Sequence, residues 1–306
     1  MKTKQTPGLT VSEALQQAAA AFRVHSASAT LDAGVLLGHI MERPRTWIAA
    51  HPESRLATKE RAEFVRALKE AAAGRPLPYL VGHQEFYGLD FFVNHDVLIP
   101  RPETEVLVDL AINWLKAHPG RRVAADIGTG SGCIAISLAV NLPDLTVYAS
   151  DISRRALTFA EKNSKLHQVE DRVHLACGDL MGALPEIVDV LCANLPYIPG
   201  SKLEGLPVAR YEPQQALDGG VDGLTFIRRL LAQAPGWVKQ GGFILLEIEE
   251  DQGPAVINLA RMYYPAASIK CHPDLAGLDR VLSIVLPAES DTMTVIPSGN
   301  TTDSPG

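Results

Sequence analysis

From residue 121 onward the chain alternates short apolar runs with stretches of helical length, and nothing else in its 306 residues constrains the fold as tightly. The runs cover 123–126, 146–151, 173–177, 187–193, 243–248 and 281–285. Runs this short suit strands better than helices, and continuous apolar character marks a strand covered on both faces. The pattern predicts an α/β fold with a doubly wound, parallel sheet. Open sheets of that kind bind ligands at the carboxyl edge, so the residues that close each run are where function is to be sought.

The first run closes in Asp126-Ile127-Gly128-Thr129-Gly130-Ser131-Gly132-Cys133. Glycines there let the backbone turn sharply and approach a ligand, and the helix that follows offers free N–H groups. A dinucleotide fingerprint would read GxGxxG and seat a pyrophosphate on the helix end. This segment reads GxGxG, and Asp126 stands two residues before the first glycine, where it would repel a pyrophosphate and suit a cation. The second run ends at Asp151, a carboxylate able to accept both hydroxyls of a ribose. The third leads into Gly178-Asp179-Leu180, with Asp179 suited to an adenine amine and Leu180 to an apolar contact beside it. The ligand implied has a cationic end, a free ribose diol, an adenine and no phosphate. S-Adenosylmethionine has all four properties. A glycine-rich turn of an ordinary α/β fold would explain the glycines but not three acids at successive strand ends.

The fourth run leaves the sheet through Asn194-Leu195-Pro196-Tyr197, with no turn glycine. The Asn194 carboxamide oxygen can accept one N–H of a planar NH2 group, and the Leu195 carbonyl can accept the other. Pro196 stiffens that carbonyl, and Tyr197 can stack on the flat face of the substrate. A planar nitrogen is a poor nucleophile because its lone pair is delocalised. Holding both hydrogens directs the remaining lone-pair density at a methyl group, and approach geometry carries most of the catalysis without a strong base.

The first 75 residues read as a helical bundle. Thr10-Val11-Ser12-Glu13 fits a capping box opening a helix to about Phe22. Further helices are expected over 31–41 and 58–73, the last stopped by Gly74. Residues 76–100 are aromatic-rich around Gly88 and predict a hairpin or extended connector. Pro100 and Pro102 rigidify the entrance to a helix over 103–117. The domains expected are thus 1–75, a linker over 76–100, a catalytic domain over 101–288, and a disordered tail over 289–306 rich in Ser, Thr, Pro and Gly.

Charge is unevenly spread. Residues 1–75 hold 11 Lys and Arg against 7 Asp and Glu, whereas 76–306 hold 17 against 28. A catalytic part at −11 repels a phosphate backbone and disfavours a nucleic-acid substrate. The N-terminus leads into no apolar h-region and no run approaches the ~20 residues that span a bilayer, so a cytoplasmic protein is expected. Cys133, Cys177 and Cys192 lie in apolar runs and are expected to be buried, inert thiols. Neither they nor the nine histidines show metal-ligand spacing, and no metal is expected.

D-I-G-T-G-S-G followed by N-L-P-Y resembles the class I methyltransferases that modify planar nitrogens. Leu31-Asp32-Ala33, Arg43-Pro44-Arg45-Thr46-Trp47, the stretch 82–92 and above all Leu98-Ile99-Pro100-Arg101-Pro102-Glu103-Thr104-Glu105 are similar to the HemK family. Its members are protein-(glutamine-N5) methyltransferases acting on peptide chain release factors. The resemblance runs from about residue 8 to 286. It implies a Rossmann-like, seven-stranded, mostly parallel sheet, a helical substrate-recognition domain and a hairpin connector. It also implies S-adenosylmethionine as cofactor, a release factor as protein partner, no membrane, and a monomer. By position, Gly128 to Gly132, Asp151 and Leu180 would line the cofactor, and Asn194 to Tyr197 would hold a glutamine, with Asn194 also near the cofactor. Arg101 and Pro102 would shape the mouth, although Arg101 could instead pair with an acid such as Glu105. Two positions depart from the family: Leu195 stands where it usually has Pro, and Glu249 where it usually has Gly. N-L-P-Y also occurs in adenine-N6 dimethylases of ribosomal RNA, so a nucleic-acid adenine is one alternative substrate and a ribosomal-protein glutamine another.

Overall fold

A computed structural model describes residues 8–288, and the expected tail lies outside them. The chain divides into two compact units. One comprises residues up to Gln84 together with Phe92–Ile99 and Leu206–Pro213, and the other comprises Glu85–Phe91, Pro100–Gly205 and the chain from Gln214 on.

The first unit holds α1 (Val11–Phe22), α2 (Ala29–Ile40), α3 (Arg45–Ala50), α4 (Thr58–Ala72) and α5 (Leu77–Val81). The capping box forms as its spacing requires: the Thr10 N–H donates to Glu13 Oε2 at 2.8 Å, and the Glu13 N–H to Thr10 Oγ1 at 3.2 Å. Gly74, with φ +90°, follows the end of α4. Val11, Ala14, Ala18, Leu36, Leu37, Ile48 and Phe64 build the core. The sequence pattern missed α3 and α5, which span only six and five residues, too few to display a helical period. Two distant stretches are stitched to these helices. The Tyr79 hydroxyl donates to the Val97 carbonyl at 2.6 Å, and the Tyr211 hydroxyl to the Ala73 carbonyl at 2.5 Å.

A two-stranded hairpin, β1 (His83–Phe86) and β2 (Leu89–Phe92), follows α5. Its tip is tied within the second unit, where the Tyr87 N–H donates to Glu105 at 2.8 Å and the Tyr87 hydroxyl to Asp109 at 2.5 Å.

The second unit then runs through α6 (Glu105–Ala117), β3 (Val123–Ile127), α7 (Cys133–Asn141), β4 (Thr146–Asp151), α8 (Arg154–Leu166), β5 (Val173–Cys177) and β6 (Val188–Ala193). It continues through α9 (Gly200–Leu203), α10 (Thr225–Gln233), β7 (Val238–Glu247), α11 (Gly253–Tyr263), β8 (Ser268–Pro273) and β9 (Asp279–Val285). The seven strands lie in the order β5-β4-β3-β6-β7-β9-β8. The first five are parallel, and β9 pairs antiparallel with both β7 and β8. Apolar clusters cover both faces of the sheet, and all six residues of β6 are buried. The chain builds outward from β3 through β4 to β5 and then returns to lay β6 on the other side of β3. The strand order therefore reverses between β3 and β6, which is where sheets of this kind open a ligand crevice.

Three expectations need correcting. β8 was not expected, because its residues are half-exposed on the edge of the sheet and show no apolar run. β7 starts at Val238, five residues before the expected run, because Gly241 and Gly242 hide its beginning. Cys133 and Cys192 are buried but Cys177 is exposed, since β5 is the opposite edge and Cys177 is its last residue.

Candidate active site

The glycine turn sits at the carboxyl end of β3. The Gly128 and Thr129 N–H groups donate to the Ser150 carbonyl of β4 at 2.8 and 2.9 Å, and the Asn163 side chain holds the Ser131 carbonyl at 2.8 Å. Gly128, Gly130 and Gly132 all have positive φ. Thr129 and Ser131 bury their side chains, so the turn offers its backbone to a ligand. A Cβ on Gly130 would meet nothing within 4 Å, whereas one on Gly132 would strike Ile136 and Ala160. Gly130 thus faces open space and Gly132 faces packing. Such a cradle can admit a ligand close to the backbone.

Asp151 closes β4 and reaches across to the turn. Its Oδ2 accepts the Gly130 N–H at 2.9 Å and its Oδ1 the Ser153 N–H at 2.8 Å. Burial raises its pKa against the pull of those N–H groups. The carboxylate is fixed in place and retains lone pairs for a diol. Asp126 has a different task from the one its position suggested. It is fully buried, and its Oδ2 accepts the Thr129 hydroxyl at 2.6 Å and the Ala135 N–H at 3.2 Å. It braces the turn from beneath rather than presenting a carboxylate to a ligand. Its Oδ1 is enclosed without a hydrogen-bond partner, and burial pushes the acid up to about 7.

Leu180 follows β5 in the left-handed region, φ +51°, with its side chain buried. A branched aliphatic residue there is strained, and such strain concentrates at functional sites. Asp179 is half-exposed, and its Oδ2 pairs with Arg229 at 2.5 Å. An exposed pair of that kind contributes up to about 1 kcal/mol and can yield to a ligand.

Asn194-Leu195-Pro196-Tyr197 leaves β6 directly beside the turn. A Cβ on Gly128 would lie 2.9 Å from Leu195 Cδ2 and 3.7 Å from the Asn194 carbonyl oxygen. Leucine at this position therefore packs under the glycine turn, which gives the departure from the family pattern a physical role. Asn194 is half-buried, and its Nδ2 donates to Thr104 Oγ1 at 3.2 Å, which turns Oδ1 the other way. A glycine loop backs the tetrad: a Cβ on Gly219 would lie 2.8 Å from the Pro196 carbonyl oxygen, and one on Gly223 2.2 Å from that of Tyr197. Gln252 Nε2 also donates to the Tyr197 carbonyl, at 3.0 Å.

The Tyr197 hydroxyl donates to Glu247 Oε1 at 3.5 Å, where β7 ends. Burial raises the phenol's pKa, Glu247 and Glu103 raise it further, and Arg280 and Arg101 pull it down. Arg101 and the 3-10 turn that starts at Pro102 thus belong to the surroundings of Tyr197. Glu249 finds a partner for its extra charge in Lys202 Nζ, 3.7 Å from its Oε2.

The residues expected to form the site therefore converge on one sheet edge, with Asp126 beneath it. The sequence reading assigned no role to Thr104, Glu247, Gln252 or Asn163. Glu247 carried a signal, since it closes a strand as Asp126, Asp151 and Asn194 do. Thr104 carried one in its place after the two prolines.

The chain matches the family "PrmC N-terminal domain" over residues 13–82 and "Methyltransferase small domain" over 104–209. It is 46% identical over 252 residues to the release factor glutamine methyltransferase of Moorella thermoacetica, covering 82% of this chain and 89% of that protein. It is 36% identical over 255 residues to the protein of that name from Bacillus anthracis, covering 81% and 89%. A solved structure, the release factor-specific protein-(glutamine-N5) methyltransferase of Alicyclobacillus acidocaldarius, is 31% identical with a TM-score of 0.41, covering 64% of this chain and 99% of that one. Identity of this degree across most of both chains means that the chain belongs to the family of release factor glutamine methyltransferases.

Proposed function

We propose that this protein methylates the side-chain amide nitrogen (N5) of a glutamine in a peptide chain release factor, the glutamine of its GGQ motif, with S-adenosylmethionine as donor. The observation that carries this reading is the orientation of Asn194: its NH2 is held by Thr104 while its Oδ1 is left to accept, beside a glycine turn with open space at Gly130. S-Adenosylmethionine, when bound, supplies an electrophilic methyl carbon. Gly128 to Gly132 offer backbone to it, Asp151 accepts its ribose hydroxyls, and Leu180 with Asp179 flanks its adenine. Asn194 Oδ1 and the Leu195 carbonyl each accept one N–H of the glutamine amide. Tyr197 covers the amide plane, and Arg101 and Pro102 line the approach. Fixing both N–H bonds aims the nitrogen, so that binding energy is converted into alignment.

The first unit, matched as the PrmC N-terminal domain, is assigned to recognition of the release factor. Among the described residues no helix is long and apolar enough to cross a membrane, and a translation factor as substrate fits a cytoplasmic enzyme. Incubation of the protein with a release factor and isotopically labelled cofactor should mark that glutamine. An unmodified glutamine alongside a methylated adenine in an RNA control would replace the reading with the nucleic-acid alternative, and label on a ribosomal-protein glutamine would replace only the partner.

A further inference from the structure

Asn194 and Glu247 occupy neighbouring positions at the carboxyl edge, because Ala193 and Leu246 are partners in the last rung of the β6–β7 ladder. Thr104 stands between their side chains. It receives the Asn194 NH2 at 3.2 Å, and its hydroxyl is near enough to the Glu247 carboxylate to pull that acid's pKa down. Thr104 also occupies the N-cap position of α6, where a threonine ordinarily accepts a backbone N–H of the first turn. Here it caps nothing: its dihedrals are helical, continuing the preceding 3-10 turn, and its side chain is committed elsewhere.

We infer that Glu247 and Thr104 are positioning residues that fix which end of the Asn194 carboxamide faces the substrate. Hydrogen-bond polarity sets this orientation, given the function proposed above. An ionised carboxylate can only accept, so Glu247 takes the single hydroxyl proton of Thr104. The Thr104 oxygen is then left with lone pairs, and only the NH2 end of Asn194 can satisfy it. The carboxamide oxygen must point the other way, where an acceptor for the substrate N–H is required. Tyr197, whose hydroxyl reaches the same carboxylate at 3.5 Å, ties the stacking ring to the same anchor. Remove the carboxylate's directing effect and the amide can turn over, presenting N–H to N–H.

The anchor itself can titrate. Glu247 is buried, its Oε2 is enclosed without a hydrogen-bond partner, and burial pushes the acid up to about 7. Thr104 pulls it back, Glu103 pushes it up, and Arg280 and Tyr197 pull it down, while the Cys133 thiol feels its charge from α7. Once protonated, Glu247 can donate as well as accept, so it no longer dictates where the Thr104 hydroxyl proton points, and Asn194 loses its fixed orientation. Turnover should therefore fall as pH drops below about 7.

The experiment compares Thr104→Val, Thr104→Ser and Glu247→Gln with wild type, measuring kcat against pH, calorimetric affinity for S-adenosylmethionine, and melting temperature. Thr104→Val, which keeps shape and loses the hydroxyl, should lower kcat by roughly tenfold or more at pH 8 with cofactor affinity within about twofold. Thr104→Ser should restore most of that loss. Glu247→Gln, which can donate as well as accept, should resemble Thr104→Val. The acid-side inflection of wild type should be absent from both impaired variants. A flat wild-type profile, an unchanged inflection in Thr104→Val, or equal loss in Thr104→Ser and Thr104→Val would overturn the inference. The readout is methylation of whichever planar NH2 the wild type accepts. Failure of the glutamine reading would then appear in the wild-type assay, and failure of the positioning role only in the variants.

Discussion

The side chain of Leu195 lies directly against Gly128, so that a Cβ built on that glycine would stand 2.9 Å from Leu195 Cδ2. One residue belongs to the turn assigned to the cofactor and the other to the tetrad assigned to the substrate. The contact couples the two segments: a side chain at position 128 would have to push the Leu195 side chain aside.

Gly128→Ala should therefore damage both functions together. The residue has φ +77°, where a Cβ costs about 1–2 kcal/mol, and the clash with Leu195 adds to it. The expected outcome is a lower melting temperature, weaker cofactor binding and reduced turnover in the same variant. Intact turnover with weakened cofactor binding would show the two segments to be independent.

Asp151→Ala should weaken S-adenosylmethionine selectively. Hydrogen bonds to a carboxylate contribute about 1.5–3 kcal/mol each, which corresponds to roughly 10- to 150-fold in affinity per bond. Calorimetry checks this, and unchanged affinity would remove the ribose assignment. Some loss of stability is also expected, because the Gly130 and Ser153 N–H groups lose their acceptor.

Tyr197→Ala should harm turnover more than cofactor affinity, since the ring is assigned to the substrate's face. Tyr197→Phe keeps the stacking surface and loses only the long hydrogen bond to Glu247, so it should retain much of the activity. Equal damage to turnover and cofactor binding in the alanine variant would argue against stacking on the substrate.

The buried Asp126 gives stability a pH dependence of defined sign. Its acid is raised from an ordinary 3.8 to about 7 in the folded chain. Between those values the native state keeps the proton while the unfolded chain has lost it, so this group makes stability fall as pH rises. Asp126→Asn, which still accepts the Thr129 hydroxyl, should gain on wild type in melting temperature on going from pH 5 to pH 8. A difference between the two that stays constant over that range would contradict the burial argument.

Much of this architecture was legible in the sequence because it rests on burial. Strands β3 and β6 are buried almost throughout and read as apolar runs, whereas β8, at an edge with no fully buried residue, left no such trace. The site was legible where chemistry and backbone geometry coincide, as in the glycines of the turn and the Asn194 to Tyr197 exit. It was less legible where the role of a side chain depends on what lies above or beside it. Asp126 and Asp151 both close strands, yet one is sealed under the turn and the other reaches over it. Asp179 is a strand-end acid too, but Arg229 from α10 shares its carboxylate. Thr104 lies 90 positions from Asn194, and no local pattern announces that contact.

Mass spectrometry of a release factor after incubation with wild type or Asn194→Ala decides whether Asn194 holds a glutamine amide for methyl transfer, as proposed. One added methyl group is expected on the GGQ glutamine with wild type. With the variant the rate should be lower by roughly 100-fold or more, as for loss of a transition-state hydrogen-bond partner, with cofactor binding retained at least in part. A glutamine left unmodified by wild type, or modified at the wild-type rate by Asn194→Ala, would contradict that role for Asn194.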